Sequence, residues 1–404
     1  MFKIYNTLSR KKEIFKTKNK TVGVYVCGIT PYDVTHLGHA FTYTFFDVVV
    51  RYLRYQGFKV TYVQNLTDVD DDILKKAKEV KQNWKILGEK TTAVFLSDSD
   101  WLNNLRPDVY PKVTDHIKEI IEFNKKLVVK KFAYVKNGSV YFSVKTFKPF
   151  GRLSKLSKKK MLAIANERGN NPDDPNKQNP LDFVLWQAKQ TGLPAQAGEP
   201  AWPSPWGAGR PGWHIECSAM STKYLGQTIA IHGGGADLIF PHHECSIAQT
   251  EAVTGRQFVS YWLHPAMVRY RGEKMSKNLG NMVLVKDLRT KYSANVIRLY
   301  LLVHQYRQSW SADLKDLNKM KKLNDSFKKV WQKSSGLGEP QVINHYKNGF
   351  FKALADDFNT PLAIKQLTQM CYKIINDKTG KNTTAAKLFL SQAFSILGLK
   401  IEFI

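Results

Sequence analysis

Long hydrophobic runs are missing from this chain. The longest, such as Leu299-Tyr300-Leu301-Leu302-Val303, fall far short of the roughly 20 apolar residues that cross a bilayer. The N-terminus meets Arg10, Lys11, Lys12 and Glu13 before an apolar core of signal-peptide length can form. A cytoplasmic protein with no membrane contact is expected. Cysteine is scarce, with four residues in 404 (Cys27, Cys217, Cys245 and Cys371), which excludes a disulfide scaffold. Acidic residues are outnumbered, 34 Asp+Glu against 61 Lys+Arg, for a formal net charge of +27. Such a field favours a polyanion, nucleic acid first. The lysines are spread along the chain, so a generally lysine-rich composition is an alternative source of the charge. Internal repeats and low-complexity tracts are absent.

The chain is 43% hydrophobic and 12% aromatic, and its 404 residues imply two or three domains rather than one core. Residues 21–27 read as a buried strand broken by Gly28-Ile29-Thr30-Pro31. Helical periodicity follows from about Gly38 through Leu53 and stops at Gln56-Gly57, and 58–63 form a second strand. A strand–loop–helix–strand unit predicts an α/β fold with a parallel sheet, and ligands of such sheets sit at the strands' carboxyl ends. Residues 70–129 read mostly as helix, and 134–141 as a hairpin with an Asn137-Gly138 turn. Residues 169–212 are rich in Pro, Gly, Asn and Asp and read as insertion loops around one apolar run, 183–186. The sheet resumes at 228–231, and Pro241 opens another helix. The expected division is a catalytic α/β domain over 1–312, with an insertion at about 110–212, and a helical bundle over 313–404.

Two segments carry chemistry. His36-Leu37-Gly38-His39 places two imidazoles around a glycine at a helix start, where they and the helix N-terminus can meet phosphate. Lys274-Met275-Ser276-Lys277 offers two lysines on a loop flanked by Gly272 and Gly280, as a closing phosphate clamp requires. Together they can stabilise charge around a reacting phosphorus and a departing pyrophosphate. Separately, each is equally well read as ordinary surface histidines or a solvated lysine pair. Cys27 ends the first strand, Cys217 follows Trp213-His214-Ile215-Glu216, and His242 and Cys245 are three apart. These are zinc-type ligands, though single cysteines far apart are as readily small buried hydrophobes. Cys371 is read as buried packing. His232, His242, His243 and Gly233-Gly234-Gly235 form a dense polar cluster, in which Asp237 can accept from a ribose hydroxyl or an ammonium.

Collected, these segments resemble the cysteinyl-tRNA synthetase family of class I aminoacyl-tRNA synthetases. The matching stretches are 25–40, 65–73, 180–186, 202–220, 231–244, 273–280 and 356–361, in the family's order. The resemblance implies a Rossmann-like catalytic sheet with insertions followed by an all-α bundle. It implies a monomer that activates L-cysteine with ATP and Mg²⁺ and transfers it to tRNA(Cys), with one Zn²⁺ selecting the substrate thiol. By resemblance, His36, His39, Lys274 and Lys277 are catalytic. Gly38, His39, Gly235, Asp237 and Lys277 bind ATP, and Gly28, Thr67, Trp213 and His243 line the amino-acid pocket. Cys27, Cys217 and His242 match zinc ligands, but Ser246 stands where the family has a glutamate. Cys245, one residue earlier, is expected to substitute as the fourth ligand; a three-ligand site with water is the alternative. Asn278 replaces the usual final Ser of the lysine loop. The chain stops at Ile404, so a short form without the family's small anticodon-reading domain is expected. A related cysteine ligase with an amino-sugar acceptor, and a non-catalytic tRNA- or nucleotide-binding protein, stay open as alternatives.

Overall fold

The computed structural model describes residues 2–32, 34–189, 200–275, 279–338, 340–377, 379 and 382–401. An N-terminal hairpin, β1 (Lys3–Asn6) and β2 (Lys11–Ile14), precedes the first sheet strand, β3 (Thr21–Val26). Helix α1 (Leu37–Tyr55) returns the chain to β4 (Lys59–Gln64), which pairs in parallel with β3. Gly57, at φ +80°, makes the tight turn between them. Three helices follow, α2 (Asp71–Glu79), α3 (Trp84–Trp101) and α4 (Ile117–Val129). The insertion sheet then begins with β5 (Ala133–Lys136) and β6 (Ser139–Phe142), joined through Asn137 and Gly138, both at positive φ as the expected Asn-Gly turn demands.

Helix α5 (Lys158–Glu167) leads to β7 (Phe183–Ala188) and β8 (Gly209–Pro211), which complete an antiparallel sheet in the order β5-β6-β7-β8. The reading of 169–212 as loops around one apolar run holds for most of its described residues and is corrected at two strands. Its apolar run is a strand paired with β6 on one side and with Gly209–Pro211, too short to show periodicity, on the other. Helix α6 (Trp213–Leu225), β9 (Ile229–Gly233), α7 (Glu244–Thr254) and β10 (Val259–Leu263) return to the main sheet. Its order is β10-β9-β3-β4, parallel throughout. Pro241 does not open a regular helix. Phe240 is extended, the Phe240–Pro241 bond is cis, and a wide turn over Ile239–His243 precedes α7.

β11 (Val268–Tyr270), β12 (Glu273–Lys274), α8 (Val285–Leu288), α9 (Ala294–Leu302) and β13 (Trp310–Ala312) lead into α10 (Asp316–Gln332), α11 (Pro340–Ala355), α12 (Thr360–Asn376) and α13 (Thr383–Leu397). One apolar core runs from α1 and the sheet through α9 into these last four helices. A second lies on the opposite face of the sheet, under α4, α6 and α7. Each large aliphatic or aromatic side chain fully buried there contributes about 1.5–3 kcal/mol.

Two polar junctions bind the helical end to the sheet. Arg298 on α9 is completely buried. It pairs with Asp47 of α1 and donates to the carbonyls of Leu397 and, at 2.8 Å, Leu102. Arg51 and the Leu105 amide complete the shell of Asp47. Gly398 must be glycine: it sits at φ +66°, and a Cβ would lie 2.1 Å from the Arg298 guanidinium. Asp357 is the second junction. It accepts from the Tyr5 amide (2.7 Å), the Tyr306 hydroxyl (2.8 Å) and Arg307 (2.7 Å). No helix of the described residues is long and apolar enough to cross a membrane.

Candidate active site

The carboxyl ends of β3, β4 and β9 open into a cavity of about 1000 Å³, closed on its other side by α5, α6 and the residues around β7 and β8. His36 is the N-cap of α1. Its Nδ1 accepts from the amides of Gly38 (3.0 Å) and His39 (3.4 Å). A neutral imidazole that accepts at Nδ1 carries its proton on Nε2. The cap thus fixes the tautomer as well as starting the helix. The His39 ring stacks on His36 with centroids 3.7 Å apart. A Cβ at Gly38 would come within 2.9 Å of the His36 ring, so the glycine is what lets that ring fold back over its own helix.

Lys274 ends β12, lines the same cavity and is exposed; Met275 beside it is buried. The two motif segments do converge. The Leu37 amide donates to Val283 (2.8 Å) and the Val285 amide to Thr35 (3.0 Å), so the chain after the lysine loop is stitched to the chain before α1. Lys277 lies outside the described residues, as do Ser276 and Asn278.

The cavity floor is sulfur and imidazole. Ligand atoms of Cys27, Cys217 and His242 all lie within 4.8 Å of one another, and all three residues are buried. The two sulfurs are 3.7 Å apart. Two thiolates about 2.3 Å from one tetrahedral zinc would stand roughly 3.8 Å apart, so this spacing fits a shared ion. A hydrogen bond from Cys27 holds the Cys217 thiol well below its ordinary value, while burial pushes Cys27 well above. The second sulfur–imidazole group, Cys27, His232 and His243, shares Cys27.

Cys245 is buried and lines the cavity, but its sulfur belongs to neither group. As placed, Cys245 does not join the trio. The expectation takes three residues as one helical step from His242, whereas the turn over Ile239–His243 is wide and regular helix starts at Glu244. Ser246 is also occupied, donating to the His242 carbonyl at 2.8 Å. Cys27, Cys217 and His242 are the side chains of this group that could share an ion.

Gly28, Thr67 and Trp213 all line the cavity. Gly28 lies so close to the Asn65 carbonyl that a Cβ would sit 1.5 Å from its oxygen. Trp213 stacks on His242 at 4.8 Å. Gly235 and Asp237 also face the cavity, and Asp237 is paired with Arg168 of the insertion at 3.3 Å. His243 does not line it, contrary to expectation. Its Nε2 sits 3.1 Å from the Cys27 sulfur and its Nδ1 2.7 Å from His264, whose other nitrogen reaches Thr7. The histidine is held behind the sulfur by these two bonds. Burial lowers His232, His243 and His214 well below the ordinary imidazole range, and His264 to about 3, so this layer is neutral.

Sequence reasoning misses Asn65 and Glu216. Asn65 accepts from the Gly28 amide (2.9 Å) and from Cys217, and donates to Thr67 (3.2 Å). Glu216 is 1% exposed, and burial raises its carboxyl well above the ordinary range. Its place beside Cys217 is the only signal that points to it.

A parallel sheet with a phosphate-type histidine pair at the first strand end and a lysine loop stitched beside it is the arrangement of class I aminoacyl-tRNA synthetases. Solved structures agree at the level of fold. Methionyl-tRNA synthetase of Mycobacterium tuberculosis in complex with methionyl-adenylate superposes with a TM-score of 0.65 at 14% identity, covering 94% of this chain and 90% of that one. The Agrobacterium radiobacter K84 agnB2 LeuRS–tRNA–LeuAMS complex gives a TM-score of 0.68 at 10% identity, covering 94% and 83%. The family model described as tRNA synthetases class I (C) catalytic domain matches residues 13–322. Cysteine–tRNA ligase of Haemophilus influenzae (strain PittGG) is 44% identical over 409 residues, covering 99% of this chain and 86% of its own. The same enzyme of Methanococcus maripaludis (strain C7 / ATCC BAA-1331) is 44% identical over 386 residues, covering 92% and 79%. The chain belongs to the cysteine–tRNA ligase family of class I synthetases.

Proposed function

We propose that the protein activates L-cysteine with ATP to cysteinyl-adenylate and transfers the cysteinyl group to tRNA(Cys). The observation that carries this reading is the meeting of His36 and His39 with Cys27, Cys217 and His242 on one cavity. One set suits a phosphate and the other a thiol. ATP, brought with Mg²⁺, lies with its α-phosphate against the two imidazoles. His36 donates from Nε2 and His39 from its ring as the substrate carboxylate attacks phosphorus. Lys274 and Lys277 neutralise the β- and γ-phosphates as pyrophosphate leaves. Gly38 and Gly235 let the nucleotide approach the backbone, and Asp237 accepts from the ribose.

Cys27, Cys217 and His242 are the residues that would hold Zn²⁺. The ion, when bound, supplies a soft Lewis-acid centre that prefers the thiolate of cysteine to the hydroxyl of serine. Thr67 and Trp213 shape the pocket around the substrate backbone, and Gly28 keeps its floor clear. Lys321, Lys322, Lys328 and Lys329 are exposed along α10 and offer charge to the tRNA backbone. Lys333 is instead committed to the carbonyls of Ile374 and Asp377, both at 2.8 Å.

The test is cysteine-dependent ATP–pyrophosphate exchange, followed by transfer of labelled cysteine to tRNA(Cys). Both are expected, with serine at least about 100-fold poorer in exchange. Exchange without transfer would replace tRNA by another acceptor. Neither would overturn the enzymatic reading.

A further inference from the structure

Six Asp or Glu side chains are buried among the described residues: Asp47, Asp98, Asp182, Glu216, Glu244 and Asp357. A carboxylate taken out of water must be matched by a cation or several hydrogen bonds. Five of the six are. Asp47 meets Arg298 and Arg51, Asp98 meets Arg289, and Asp357 meets Arg307. Asp182 accepts from the amides of Val144 (2.9 Å) and Asn179 (3.0 Å) and from Tyr134. Glu244 accepts from the amides of Leu153 (3.1 Å) and Ser154 (2.8 Å). Glu216 has one neutral hydroxyl, Thr67 Oγ1 at 3.1 Å, and among the described residues no cation reaches it. It is also the buried carboxylate of the six that lines the cavity.

Its position says which cation is missing. Glu216 adjoins Cys217, whose sulfur belongs to the thiol-binding trio. In L-cysteine the sulfur and the α-nitrogen are separated by two carbons, roughly 3–4 Å in staggered rotamers. A substrate whose sulfur joins Cys27, Cys217 and His242 therefore carries its ammonium to the neighbourhood of Thr67 and Glu216. Asp72 and Glu167 on the cavity rim are exposed, and other cavity carboxylates have partners. Asp237 is paired with Arg168, and Asp70 caps α2 by accepting from the Asp72 amide at 2.8 Å.

Resting on the proposed cysteine activation, we infer that Glu216 is the counter-ion of the substrate's α-ammonium. The pocket then selects a β-amino thiol rather than any thiol. The metal site recognises sulfur, and Glu216 favours thiols that carry an amine, because only an ammonium offers the buried carboxyl a charged partner.

The experiment measures binding of three thiols to the Co²⁺-loaded protein, through the sulfur-to-cobalt absorption band: L-cysteine, cysteamine and 3-mercaptopropionate. In Glu216→Gln, L-cysteine and cysteamine should bind about 30–100-fold more weakly, the effect of losing a hydrogen bond to a charged group. 3-Mercaptopropionate should bind as well as before or better, and metal content should be unchanged. Glu216→Asp, which keeps the charge, should retain part of the preference for amines and serves if the glutamine variant folds poorly. Equal weakening of all three thiols, unchanged cysteine affinity or loss of metal would each overturn the inference. Failure of the parent protein to bind L-cysteine would instead overturn the functional reading on which it rests.

Discussion

The junction around Asp47 and Arg298 and the floor of the cavity are both dry and both polar, yet they are finished differently. At the junction every partner is internal. Arg298 meets a carboxylate and two backbone carbonyls, and Asp47 meets two guanidiniums and an amide. On the cavity floor the groups outnumber their partners: three metal-type ligands face one another, and Glu216 has a single hydroxyl. A buried network that closes on itself holds a fold together. One that stays open is stable only in combination with something else.

Arg298→Met attacks the closed network and carries the largest expected effect. It leaves Asp47 short of its main partner, and denaturation should show a loss of about 3–5 kcal/mol. The fraction that stays folded should keep its preference for L-cysteine over 3-mercaptopropionate; a lost preference would show that the two regions are not separable. Cys217→Ala attacks the open network. Bound metal should fall from about one ion per chain to background by elemental analysis, while unfolding in the presence of chelator should differ from the parent by only about 1 kcal/mol. A much larger destabilisation in chelator would mean that the floor is as structural as the junction.

The smallest effect is expected at Asp70, on the cavity wall, where burial pushes the carboxyl up to about 6. Its folded form then holds a proton that the unfolded chain, near 3.9, releases earlier. The resulting stability is present below about pH 4 and is lost as pH rises through 6. Asp70→Asn can still cap α2 but does not titrate. Its melting temperature relative to the parent should therefore rise between pH 4 and 7, and a difference that stays flat with pH would show that burial does not hold Asp70 protonated.

Much of the catalytic half is legible in the sequence. The strand ending at Cys27, the helix starting beside His36 and the Asn137-Gly138 turn follow from local periodicity and turn chemistry, which residues near one another along the chain decide. What escapes depends on distant partners. Arg298 stands in an apolar helical stretch, and nothing near it in the chain announces that Asp47 awaits it. Cys245 looks well placed from residue spacing, which the wide turn before α7 invalidates. His243 is a pocket residue by resemblance, but its ring is turned to Cys27 and His264. The 356–361 segment carries a family resemblance without declaring its work, which at Asp357 is to bind Tyr5, Tyr306 and Arg307.

Helix α1 has a consequence for how such chains can vary in length. Its first turn carries His36 and His39, and its third holds Asp47, locked to Arg298. Inserting one residue between them would turn one end about 100° against the other and shift it by roughly 1.5 Å. The imidazoles would leave the cavity or the carboxylate would leave its guanidinium. The interval from His39 to Asp47 therefore admits no insertion or deletion, and length changes are confined to parts of the chain that do not hold two fixed points at once.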